Sequence, residues 1–279
     1  MRVTAICNLK GGVAKSTTVI NLGAILARDY GKRVLLIDAD CQCNTTAFFG
    51  GDPEKGNIAR VLRKASGDKD PGVYAAHQIQ PTSTDTVDLL AADDSLMDLD
   101  LTKAENGTAD AAVLKKLVWT VRGMYDVVLI DCPPALGLLT VNGLVAADQL
   151  IIPMLAEFYA LEGLSQLTNT IKVVRSNYNP NLDIGGILFV MFDQRLNVSR
   201  QVEEEVKKYF PNKVFQTKIP RNVRLSEAPS HGKPVMYYDR FSKGAEAYML
   251  LGLELLGEKP PEKKRRLLSF GKKRESGDQ

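Results

Sequence analysis

Long apolar runs are missing from this chain. No stretch of about 18 consecutive apolar residues occurs in its 279 residues, so the sequence predicts no membrane-spanning helix. The N-terminus runs at once into a strand-like segment, so no secretory signal is expected. Imidazole is scarce, with only His77 and His231, and thiols are limited to Cys7, Cys41, Cys43 and Cys132. Four cysteines without a secretion signal predict reduced thiols in a cytosol. The Cys41/Cys43 pair alone is a weak metal signal, given so few imidazole partners. A large charge of one sign is also absent. Against 36 Lys and Arg stand 33 Asp and Glu, a formal net charge of +3. Residues 258–279 carry 8 basic and 4 acidic side chains, which leaves the rest of the chain at −1. The near-neutral body therefore gives no global electrostatic argument for nucleic-acid binding.

What is present is a full core: 44% of the residues are hydrophobic. Apolar runs of strand length cover residues 3–7, 33–38, 87–91, 126–131, 149–154 and 184–191, with a short last one at 213–216. Helical patterns lie at 16–30, 111–122, 163–176, 199–209 and 244–256. Continuous apolar strands alternating with helices predict an α/β fold, a mostly parallel sheet covered by helices on both faces. One domain is expected over residues 1–257. Residues 65–81 are polar and rich in turn formers and read as an exposed connection. The stretch from 258 to 279 opens on Pro260-Pro261 and reads as a disordered basic tail.

Between the first strand and the first helix stands Asn8-Leu-Lys-Gly-Gly-Val-Ala-Lys-Ser-Thr17. A glycine-containing turn that ends in Lys-Ser at a helix start cradles phosphate. Backbone N–H groups face the anion, Lys15 reaches the outer phosphates, and the Ser16 hydroxyl binds Mg²⁺. Leu9 and Ala14 occupy positions where the ordinary pattern has glycine, and Lys10 is an additional lysine. If Ala14 must take positive φ, its Cβ costs roughly 1–2 kcal/mol; if it only lies near a phosphate, the methyl is a tighter but tolerable fit. Two apolar runs end in carboxylates: Asp131 after 127–130, and Asp38 with Asp40 after 34–37. Ligands of open parallel sheets sit beyond such strand ends, so these carboxylates are candidates for a Mg²⁺ shell and for orienting water. If the second strand continues to residue 40, Asp38 and Asp40 share one face.

The runs Lys-Gly-Gly-Val-Ala-Lys-Ser-Thr (10–17), Leu-Leu-Ile-Asp-Ala-Asp-Cys-Gln-Cys-Asn (35–44) and Leu-Ile-Asp-Cys-Pro-Pro (129–134) resemble the deviant phosphate-loop ATPases of the ParA/MinD class. Glu157-Phe-Tyr-Ala-Leu-Glu-Gly-Leu-Ser165, the run from Pro220 to Pro234 and Gly244-Ala-Glu-Ala-Tyr248 narrow this to ParA/Soj partitioning proteins. The resemblance implies a P-loop NTPase fold and an ATPase that is weak alone. ATP and Mg²⁺ are its cofactors, and ATP drives a sandwich homodimer. Lys10 reaches across that dimer to the partner subunit's phosphates. Gly11, Gly12, Val13, Ala14, Lys15, Ser16 and Thr17 cradle the nucleotide, with Pro220 and Asn222 at the adenine. Ser16 ligates Mg²⁺, Asp38 and Asp131 support the metal, and Asp40 positions the attacking water. The family binds double-stranded DNA without sequence preference, and Arg195, Arg221 and Arg224 are the matching basic positions. A ParB-type centromere-binding partner stimulates hydrolysis. The implied location is cytoplasmic and nucleoid-associated, on chromosome or plasmid.

Beyond the resemblance lies Lys263-Lys-Arg-Arg-Leu-Leu-Ser-Phe-Gly-Lys-Lys-Arg274. It reads as a solvated tail, an extra DNA clamp, or a membrane anchor through Leu267, Leu268 and Phe270. The anchor keeps a MinD-like positioning or division regulator as the alternative.

Overall fold

The computed structural model describes residues 1–64, 71–99 and 110–258. In chain order these form β1 (Arg2–Ile6), α1 (Lys15–Tyr30), β2 (Val34–Asp38), α2 (Asn44–Phe48), α3 (Ile58–Lys64), α4 (Pro71–Ala76), β3 (Gln80–Pro81), β4 (Val87–Leu90), α5 (Val113–Thr120), β5 (Val127–Asp131), α6 (Leu138–Ala146), β6 (Gln149–Met154), α7 (Ala160–Asn177), β7 (Asp183–Phe189), α8 (Asn197–Tyr209), α9 (Val223–Glu227), α10 (Val235–Tyr238) and α11 (Lys243–Leu256). A 3₁₀ turn, Ala228–His231, joins α9 to the segment before α10.

Seven strands make one sheet in the order β3-β4-β2-β5-β1-β6-β7. Every pairing is parallel except β3 against β4. The central strands are buried on both faces, and alternate residues feed two apolar layers. Leu35, Ile37, Val128 and Ile130 face one layer, with α3, α5, α6, α7 and α8. Val34, Leu36, Val127 and Leu129 face the other, with α1 and α11. Val19, Leu22, Ile25 and Leu26 of α1 are fully buried there, each contributing about 1.5–3 kcal/mol relative to exposure. The parallel α/β fold expected from the sequence is the fold observed.

Three expectations are corrected. Residues 213–216 form no strand; Val214 makes one isolated bridge to Ile187, and Phe215 fills the space left by Gly186, where a Cβ would lie 2.3 Å from its ring. The segment expected to be an exposed connection contains α4 and the edge strand β3 in its described part. β2 stops at Asp38, so Asp40 lies past the strand end rather than on a shared strand face. The basic tail falls outside the described residues, after Gly257 caps α11 in the left-handed region at φ 73°.

Candidate nucleotide site

The loop after β1 and the ends of β2 and β5 meet at the carboxyl edge of the sheet. Asp38 and Asp131 are direct partners across the β2/β5 register. A cavity of about 620 Å³ opens above them, lined by Gly11, Gly12, Val13, Ala14, Lys15, Ser16 and Thr17, by Asp40, and by Pro220, Arg221 and Asn222 on the opposite wall. Most of the predicted nucleotide residues therefore line one hollow. Asp38 and Asp131 lie beneath it, fully buried.

α1 begins at Lys15, so the first-turn N–H groups stand at the cavity with no intrahelical acceptor and carry the positive end of the helix dipole. The turn that aims them is costly. Ala14 has φ 58° and ψ 36°, a left-handed conformation for a residue with a Cβ. This decides between the two readings of Ala14: the position requires positive φ, and alanine bears the strain of roughly 1–2 kcal/mol. Lys15 is buried, and among the described residues its ammonium donates a single long hydrogen bond, 3.4 Å, to the Lys10 carbonyl. A buried cation so weakly partnered is poised for an anion.

The carboxylates are held by α2. Thr46 donates its N–H (2.7 Å) and hydroxyl (2.8 Å) to Asp38, and the Thr45 hydroxyl donates to Asp131 at 2.7 Å. The N–H of Asp40 donates to Asp38 at 3.2 Å, and Asp40 accepts from the Gln42 N–H at 3.0 Å. Burial pushes the Asp38 carboxyl up to about 6 against the pull of the Thr46 hydrogen bonds. Burial and then the neighbouring Asp38 charge push Asp131 up to about 7, with Thr45 and the nearby Ser16 hydroxyl drawing it part of the way back. Asp131 Oδ1 is buried and has no hydrogen-bond partner. Two desolvated carboxylates side by side, one with an orphaned oxygen, call for a hard divalent cation with its water shell above them. The residues present fit Mg²⁺ held by Ser16 with Asp38 and Asp131 behind it. No group of three or more His, Cys, Asp or Glu suited to direct metal binding occurs among the described residues.

A family model described as an AAA domain matches residues 1–184. The chain is 46% identical over 254 residues to the sporulation initiation inhibitor protein Soj of Bacillus subtilis, covering 91% of this chain and 98% of that one. It is 45% identical over 272 residues to the chromosome partitioning protein ParA of Myxococcus xanthus, covering 95% and 91%.

The chain belongs to the ParA/Soj family of chromosome-partitioning ATPases. A solved structure described as cobyrinic acid a,c-diamide synthase from Mycobacterium smegmatis, with bound ATP analog and magnesium, superposes with a TM-score of 0.74 at 36% identity over 92% of this chain and 94% of that one.

Lys10 of this ParA/Soj-family chain stands apart from the other loop residues. Its side chain lines not the large cavity but a smaller hollow of about 340 Å³ beside it, together with Asn8, Met154, Tyr159 and Glu162. Its ammonium pairs with Glu157 at 2.6 Å. Two of the three candidate DNA-contacting arginines are ion-paired. Arg195 pairs with Asp193 at 2.6 Å, Arg224 pairs with Glu227 at 2.8 Å and Asp239 at 3.2 Å, and Arg221 lies on the cavity wall.

Sequence reasoning missed four residues of this site. Thr45 and Thr46 had a readable signal, two hydroxyls opening a helix just past strand-end carboxylates. Asn8 bridges the Pro153 carbonyl (2.7 Å) and the Lys10 N–H (3.0 Å), and Glu157 holds Lys10. Both act between β1 and β6 segments about 145 residues apart, beyond the reach of local pattern.

Proposed function

We propose that this chain is a nucleotide-switched DNA-segregation ATPase whose ATP-bound form is a sandwich dimer. The observation that carries the reading is the division between two lysines: Lys15 lines the phosphate cavity, and Lys10 lies on an outer shoulder beside it. A lysine outside its own pocket is suited to stabilise charge in a second subunit's pocket, as an arginine finger does.

Mg·ATP supplies the phosphoryl bond to be hydrolysed. Loop N–H groups from Gly11 to Thr17 hold the phosphates and Lys15 neutralises their outer charge. The Ser16 hydroxyl would hold the Mg²⁺, with Asp38 and Asp131 behind it, and the metal would supply neutralisation of phosphate charge there. Asp40, on the cavity wall, orients water for attack. Pro220 and Asn222 contact the adenine, and Lys10 reaches the partner subunit's phosphates. Dimerisation brings Arg195, Arg221 and Arg224 of two subunits to DNA phosphates, so binding is independent of sequence and sensitive to salt. A ParB-type partner stimulates a slow intrinsic hydrolysis and resets the cycle in the cytoplasm on the nucleoid. Residues 1–257 form the ATPase domain and 258–279 a basic tail.

The test is co-sedimentation with DNA in ATP, in ADP and without nucleotide, at two salt concentrations, with anionic liposomes in parallel. ATP-dependent, salt-sensitive DNA binding is expected. The apolar trio Leu267, Leu268 and Phe270 among basic residues favours one second reading, a MinD-like membrane-associated regulator. Tail-dependent liposome binding without DNA binding would establish that reading and overturn the first.

A further inference from the structure

Three contacts fix Lys10 in place. Its N–H donates to the Asn8 side chain at 3.0 Å, and Asn8 is itself anchored to the Pro153 carbonyl. Its carbonyl accepts from Lys15. Only the side chain is left to choose a direction, and its partner is Glu157, which follows β6 by three residues and whose carbonyl starts the turn into α7 through the Ala160 N–H at 3.0 Å. The lysine side chain is 45% exposed and the glutamate 55%. Backbone rigidity at both ends with a solvent-facing ion pair between them is the geometry of a catch that opens cheaply. Exposed pairs of this kind change an equilibrium by only about 1.4- to 5-fold.

We propose that Glu157 is a positioning residue, the resting seat of Lys10. It holds the ammonium on the shoulder beside the phosphate cavity and releases it when Lys10 engages a second subunit's phosphates. The proposal rests on the reading that Lys10 acts across a dimer interface. Each dimer opens two seats, so the seats together weaken ATP-driven dimerisation by about 2- to 25-fold. Glu162 lines the same hollow as Lys10 and serves as the control carboxylate; its removal leaves the seat intact.

Sedimentation equilibrium with a non-hydrolysable ATP analog tests this on the full chain, comparing wild type, Glu157→Gln, Glu162→Gln, Lys10→Gln and the Lys10→Gln/Glu157→Gln double variant. Glu157→Gln is expected to tighten the dimer by about 2- to 25-fold at low salt. The gain should shrink near 1 M salt, where the screening length is about 3 Å. Nucleotide affinity of the monomer stays unchanged, Glu162→Gln behaves as wild type, and Glu157→Gln adds nothing once Lys10 is gone. A dimer that is unchanged or weaker in Glu157→Gln, while Lys10→Gln impairs dimerisation, overturns the seat and leaves the trans role of Lys10 standing. A Lys10→Gln variant that dimerises and hydrolyses ATP like wild type overturns the trans role itself.

Discussion

The cavity floor and the shoulder beside it solve opposite problems. On the floor, Lys15, Asp38 and Asp131 are buried: Lys15 makes one long hydrogen bond, and the two carboxylates, though held by Thr45 and Thr46, lie side by side with one Asp131 oxygen unpartnered. On the shoulder, Lys10 and Glu157 are about half exposed and already satisfied by each other. Buried groups held in an unsatisfied state make binding strong and obligatory; exposed, satisfied groups make a contact conditional. The loop thus joins a site that demands its ligand to a face that can decline one.

The sharpest way to break this contrast is Lys15→Ala. Loss of the floor cation should lower ATP affinity by about 10- to 150-fold, the scale of a charge-assisted contact, as read by calorimetric titration. Affinity within tenfold of wild type would mean the floor is not what holds the nucleotide. Asp40→Ala should leave ATP binding and dimerisation in place while hydrolysis falls about 10²–10⁴-fold in a phosphate-release assay. Equal loss of binding would move Asp40 from water orientation to structure.

The carboxylate pair gives a pH test. Folded-state values near 6 and 7 lie above the ordinary carboxylate range, so between about pH 4 and 7 the folded state holds more protons than the unfolded one. Stability of the metal-free protein should therefore fall as pH rises through that window, by several degrees in Tm. Asp131→Asn should flatten the profile, and Mg²⁺ with nucleotide should flatten it in the wild type. A metal-free profile that is already flat would show that the pair carries no such strain. The smallest expected effect is at Ala14. Ala14→Gly removes the left-handed penalty and should raise Tm by about 2–4 °C, close to 1 kcal/mol, in a thermal melt.

The floor was legible in the sequence because strand periodicity and strand-end carboxylates are local. The runs ending in Asp38 and Asp131 needed only the rule that ligands sit beyond parallel strand ends. α6 was not legible: Leu138–Ala146 is apolar nearly all round, so it shows no 3.6-residue stripe. β3 escaped because two residues, one of them Pro81, make no strand signal, and proline fits only at a sheet edge. The Lys10–Glu157 pair escaped for another reason: its partners are 147 residues apart and are brought together only by the β1/β6 pairing.

α11 links the nucleotide cavity to the first strand. Near its middle Tyr248 lines the nucleotide cavity and shares a 3.2 Å hydrogen bond with Thr18 of α1; in its last turn the Leu255 carbonyl accepts from Arg2 at the start of β1. Its 14 residues make a rod about 21 Å long. The last turn of α11 is thus tied to the amino end of β1, the strand whose other end runs into the phosphate loop.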